Sequence, residues 1–130
     1  MTPRVLVLDN DDSIGELLAL ALRRASLQPT VVARADEAEA VLRERAAEFL
    51  LLDLNLGAGD SGERLAQRWD HEGILPPFLV LTGTPHDERL VELDGVPGFQ
   101  GVVAKPFSIL DLADRVRRGC GGAAEQEAQA

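Results

Sequence analysis

This chain is short of cysteine, of positive charge and of long apolar runs, and each shortage excludes something. Its one cysteine, Cys120, allows neither an internal disulfide nor a metal site built from several thiolates. Its 13 Lys and Arg residues stand against 22 Asp and Glu, a formal charge of -9. Holding a phosphate backbone requires basic surface, so direct nucleic acid binding is not expected, and an acidic membrane surface would repel the chain. No apolar stretch approaches the ~20 residues of a membrane-spanning helix. Met1-Thr2-Pro3-Arg4 leads into an apolar run too short for the core of a signal peptide, so a cytoplasmic location is expected. What is there is a 45% hydrophobic content over 130 residues, enough for one packed core. The acidic balance suits a divalent cation as a partner.

Four short apolar runs end on groups useful for phosphate chemistry. Val5-Leu6-Val7-Leu8 runs into Asp9-Asn10-Asp11-Asp12, Phe49-Leu50-Leu51-Leu52 into Asp53, Phe78-Leu79-Val80-Leu81 into Thr82, and Val102-Val103-Ala104 into Lys105-Pro106. In a parallel α/β sheet all carboxyl ends lie on one edge, where ligands bind. Asp9, Asp53, Thr82 and Lys105 are therefore expected in one pocket. Carboxylates for a cation, a nucleophilic carboxylate, a hydroxyl and a lysine together suit phosphoryl transfer.

Helical patterns alternate with these runs. Ser13-Ile14-Gly15-Glu16 has capping-box spacing, and Ile14, Leu17, Leu18, Ala21 and Leu22 then recur on one face. After Pro29, Thr30 to Ala33 reads as a second strand. Asp36 to Glu39 reads as another capping box, opening a helix that turns Ala38, Val41 and Leu42 inward. Gly57 to Gly62 reads as a loop, Gly62 to Trp69 as a helix burying Leu65, Ala66 and Trp69, and His86 to Leu93 as a short helix. Ser108 caps a last helix carrying Leu110, Leu112, Ala113 and Val116. Arg115, Arg117 and Arg118 then suit its positive-charge-seeking end. Residues 119–130, with Cys120 exposed among glycines, read as a flexible tail or truncated linker. The expectation is one α/β domain over residues 1–118, a doubly wound (βα)5 parallel fold.

Val5 to Asp11, Leu51-Leu52-Asp53-Leu54-Asn55-Leu56, Leu81-Thr82-Gly83 and Lys105-Pro106-Phe107, in that order, resemble the receiver domain of two-component response regulators over residues 4 to 118. The resemblance implies a flavodoxin-like sheet of strand order 2-1-3-4-5. It makes Asp53 the phosphoacceptor, with a histidine kinase or phosphotransfer protein as donor. It places Mg²⁺ on Asp9, Asn10, Asp53 and the backbone carbonyl of Asn55. Thr82 would bond the phosphoryl group, Lys105 would balance its charge, and the Lys105-Pro106 bond would be cis. The signal would leave through the face of the last two helices and the fifth strand, to an unknown downstream protein or a second copy in a homodimer. No catalytic turnover of an external substrate is implied.

Two positions depart from the family pattern. Asn10 stands where most receivers carry a second metal-binding carboxylate, and Val102 stands where they carry an aromatic ring coupled to the threonine. These motivate an alternative, a degenerate receiver acting as a phosphorylation-independent binding module. Asp9-Asn10-Asp11 also resembles the opening motif of haloacid dehalogenase-type phosphatases. That reading leaves Asp53 without a role and places the late acidic residues, Asp111 and Asp114, on a helix.

Overall fold

The computed structural model describes residues 2–57 and 61–129, with side chains described as far as Cys120. Five strands alternate with helices: β1 (Arg4–Leu8), α1 (Asp12–Arg24), β2 (Gln28–Val32), α2 (Ala35–Arg43), β3 (Phe49–Asp53), α3 (Gly62–His71), β4 (Phe78–Thr82), a 3₁₀ helix (Glu88–Leu93), β5 (Phe99–Ala104) and α4 (Ile109–Gln129). All strand pairs are parallel, in the order β2-β1-β3-β4-β5. This is the expected flavodoxin-like arrangement.

Successive strand residues point to opposite faces, and the apolar runs accordingly feed two cores. Leu6, Leu8, Leu50, Leu52, Phe78 and Val80 meet Ala38 and Leu42 of α2 and Leu65, Ala66 and Trp69 of α3. Val5, Val7, Phe49, Leu51, Leu79 and Leu81 meet Leu18, Ala21 and Leu22 of α1 and Leu112, Ala113 and Val116 of α4. Helices on both faces explain why β3 and β4 are apolar without alternation and buried at every position. Pro29 sits inside β2, which is tolerable because β2 is an edge strand.

Several local expectations need correction. The cap of α1 is Asp11, whose carboxylate accepts from the N–H groups of Ser13 and Ile14, so Ser13 lies within the helix. A carboxylate there also meets the positive end of the helix dipole. In α2 the reach-back is from Glu37 to the N–H of Arg34, two residues earlier than read. Leu17 and Leu110 are 52% and 68% exposed and lie outside the cores. The short helix expected from His86 to Leu93 is present as a 3₁₀ helix over Glu88–Leu93. The residues after Arg118 continue α4 to Gln129, so the arginines lie mid-helix and the expected tail is helical. Gly119 and Cys120 pack toward the sheet: a Cβ on Gly119 would lie 2.8 Å from the Phe49 ring, and Cys120 sits against the second core. Cys120 is half-buried, and burial pushes its thiol up to about 11, so little thiolate forms near neutrality. Of the expected loop from Gly57 to Gly62, residues 58–60 lie outside the described residues.

Candidate functional site

Strand register assembles the site. Leu8 pairs with Leu52, so Asp9 and Asp53 follow at the same level of neighbouring strands. Asp53 pairs with Leu81, and Thr82 pairs with Ala104. The backbone N–H of Lys105 donates to the Thr82 carbonyl at 2.7 Å, fixing the start of the β5–α4 loop beside β4. The Lys105-Pro106 bond is cis, as expected. Thus all four strand-end residues reach one sheet edge.

Asp9 and Asp53 are buried, 1% and 4% exposed. Lys105, the chain's single lysine, places its Nζ 3.2 Å from Asp9 Oδ2 and 3.4 Å from Asp53 Oδ2. The other carboxylate oxygens are held by main chain. The Asp11 N–H donates to Asp9 Oδ1 at 2.9 Å, and the Asn55 N–H donates to Asp53 Oδ1 at 3.0 Å. Two buried carboxylates thus share one ammonium. Burial is the main cause that pushes Asp53 up to about 6, assisted by the Asp9 charge and opposed by the Asn55 N–H and by Lys105. Excess negative charge among hard oxygens is what a divalent cation relieves.

Asn10 reaches the rim, not the centre. It is exposed, and its Nδ2 donates to the Leu56 carbonyl at 3.3 Å, tying the β1–α1 loop to the loop after β3. The anionic donors are therefore Asp9 and Asp53. Among the described residues no group of three or more His, Cys, Asp and Glu side chains is placed to hold a metal ion. Asp111 and Asp114 lie exposed on α4 and do not join the site. The two carboxylates are the kind of donor a hard, strongly hydrated ion prefers, and the site carries one formal charge fewer than an acidic residue at position 10 would supply.

Gly62 closes the base of the site. A Cβ there would lie 2.7 Å from the Asp53 carbonyl oxygen and 3.0 Å from Leu54 Cα, so α3 starts against the backbone of the acceptor strand only because the residue is glycine. The Gly62 N–H donates to the Leu54 carbonyl at 2.9 Å.

Thr82 is fully buried. Its Oγ1 accepts from the Thr84 N–H at 2.9 Å and lies 3.0 Å from Thr84 Oγ1. Beyond it lies a network that motif reading missed. The Thr84 hydroxyl donates to Asp87 Oδ2 at 3.5 Å. Arg89 donates to both Asp87 oxygens, from Nε at 3.1 Å and from Nη2 at 2.8 Å, and its Nη2 also donates to Asn55 Oδ1 at 2.8 Å. Arg89 Nη1 lies 3.9 Å from Oε2 of Glu63, a residue only 3% exposed. The Arg89 guanidinium holds the Asp87 carboxyl at about 2. Nothing in sequence spacing marks Arg89, because its partners come from three separate elements.

Comparison with known proteins agrees with this geometry. Residues 5–117 match the family model described as the response regulator receiver domain. The chain is 34% identical over 122 residues to the phosphate regulon transcriptional regulatory protein PhoB of Rhizobium meliloti, covering 90% of this chain and 52% of PhoB. It is 29% identical over 116 residues to the transcriptional regulatory protein BaeR of Escherichia coli, covering 89% and 47% respectively. The chain thus spans about half the length of these curated relatives. The crystal structure of a CheY-like receiver domain protein from Methanospirillum hungatei superposes with a TM-score of 0.83 at 21% identity over 100% of both chains. The BeF3 activated DrrB receiver domain superposes at 0.76 with 22% identity, covering 91% of this chain and 97% of that one.

Proposed function

The chain belongs to the response regulator receiver family, and from that premise we propose that it accepts a phosphoryl group on Asp53 from the phosphohistidine of a histidine kinase or phosphotransfer protein. The observation that carries the proposal is the setting of Asp53: a buried carboxylate with one oxygen held by the Asn55 N–H and the other facing Lys105, beside Asp9. One Asp53 oxygen bonds to phosphorus as the bond from phosphorus to the donor atom breaks. The leaving group keeps that electron pair, so the product is an aspartyl phosphate. With Asp53 pushed up to about 6, the carboxylate is mostly ionised above neutrality and available as nucleophile.

The remaining residues act on charge and position. Lys105 neutralises charge as the phosphoryl group arrives. The Asn55 N–H holds the acceptor carboxylate in one orientation. Thr82 supplies a hydroxyl donor to a phosphoryl oxygen once it leaves Thr84. Asp9, Asp53 and the Asn55 carbonyl, with Asn10 at the rim, would hold Mg²⁺, which would supply positive charge to the phosphoryl oxygens. With Val102 in place of a ring, the output surface around β5 and the adjoining helices responds without an aromatic switch. The proposed setting is cytoplasmic signalling to a downstream protein or to a second copy of the chain.

The test is intact mass after incubation with acetyl phosphate and Mg²⁺, run beside Asp53→Asn. A gain of one phosphoryl group in the parent alone supports the acceptor assignment. No gain in a folded parent refutes it and favours the phosphorylation-independent binding module, which the reduced anionic charge at Asn10 motivates; Asn10→Asp is then the informative variant.

A further inference from the structure

We infer that Arg89 is a positioning residue of the phosphoryl-transfer site, the link in a chain of hydrogen bonds along its open edge. The inference rests on Asp53 being the acceptor. Starting at Asp53 Oδ1, the chain of bonds passes through the Asn55 N–H, the Asn55 side-chain oxygen, Arg89, Asp87 and Thr84 and ends at Thr82. It therefore ties together the loops that follow the acceptor on β3 and the hydroxyl on β4, past the last strand pair, Asp53 and Leu81.

The geometry suits positioning rather than direct catalysis. Arg89 donates to Asn55 Oδ1 at 2.8 Å, and Asn55 in turn holds Asp53 by its backbone N–H. Fixing the Asn55 side chain restricts both that N–H and the Asn55 carbonyl, the two main-chain groups of this residue that serve the site. The planar guanidinium can hold Asn55 and Asp87 together because its donors have fixed directions; an ammonium is a single point charge and cannot span both in the same geometry. Arg89 also lies 3.9 Å from the buried Glu63 carboxylate at the start of α3, which places the guanidinium among three elements. Arg89 is 37% exposed, so its role is not that of a core side chain.

The experiment is a double-substitution cycle read by the initial rate of phosphoryl gain from acetyl phosphate with saturating Mg²⁺. Arg89→Gln removes the fork, and Asn55→Ala removes its acceptor while leaving the backbone carbonyl and N–H in place. Each is expected to slow phosphoryl gain about tenfold, with the double variant no slower than either single one, because both break the same link. Arg89→Lys is expected to recover only part of the rate. Rates that match the parent, or losses that multiply in the double variant, overturn the inference. To separate site geometry from a buried, unbalanced carboxylate, the cycle is repeated in a Glu63→Gln background, where the same non-additivity is required. Failure of the parent itself to gain a phosphoryl group refutes the acceptor assignment, and the role of Arg89 falls with it; a normal parent with an indifferent Arg89→Gln refutes the Arg89 inference alone.

Discussion

Replacing Asp53 by Asn should stabilise the metal-free protein above neutral pH, although it removes the proposed acceptor. Asp53 is pushed from an ordinary value of 3.8 up to about 6, chiefly by burial. Between these values the native state holds a proton that the unfolded state has released. Stability therefore falls as pH rises through that window, and the full penalty is present above about 6. A shift of about 2 units corresponds to about 3 kcal/mol. That net shift already contains the attraction to Lys105; burying the Asn amide N–H₂ beside the Lys105 ammonium offsets part of the gain, leaving on the order of 2 kcal/mol. Asn keeps the oxygen that accepts from the Asn55 N–H, so the substitution is nearly isosteric. For a chain of this size the gain raises the melting temperature by about 8 °C. Trp69, the only tryptophan, is fully buried and its emission reports unfolding. Urea unfolding with a chelator present, at pH 8 and again at pH 4, measures the difference. The advantage of Asp53→Asn should shrink toward zero at the lower pH, where native Asp53 is protonated. Equal stability of the two proteins at pH 8, or a gain that persists unchanged at pH 4, refutes the argument that an uncompensated buried charge dominates this site.

Two further outcomes follow from the same geometry. Asn10→Asp adds a third carboxylate at the rim and should tighten Mg²⁺ binding about tenfold by calorimetric titration; unchanged affinity would show that position 10 does not face the ion. Gly62→Ala forces a Cβ against the backbone of Asp53 and Leu54, and should cost about 1–3 kcal/mol in urea unfolding while slowing phosphoryl gain on Asp53; an unperturbed protein would show that α3 can shift without disturbing the acceptor strand.

The strands, their order of appearance and the four residues that meet at one sheet edge, Asp9, Asp53, Thr82 and Lys105, are legible in the sequence. Apolar runs buried on both faces need no alternation, so Phe49 to Leu52 and Phe78 to Leu81 are legible as central strands, and the polar residue ending each run is forced to the sheet edge. Trp69, Leu65 and Ala66 were legible in the same way, from helical spacing. Caps were less so: Asp11 and Ser13 both satisfy the local pattern at α1, and in the fold it is the Asp11 carboxylate that takes the free N–H groups of the first turn. The exposure of Leu17 and Leu110 and the continuation of α4 past Arg118 likewise depend on what each face meets, which periodicity does not contain. The distances within the site, and its members outside the four strand ends, come from tertiary contacts. Lys105 stands 52 residues from Asp53 in the chain and 3.4 Å from it in space. Arg89 and Glu63 acquire meaning only where the loops after β3 and β4 face the start of α3. Strand identity is written in local hydrophobicity, whereas an ion pair or a chain of hydrogen bonds depends on distances that exist only once the sheet has set its register.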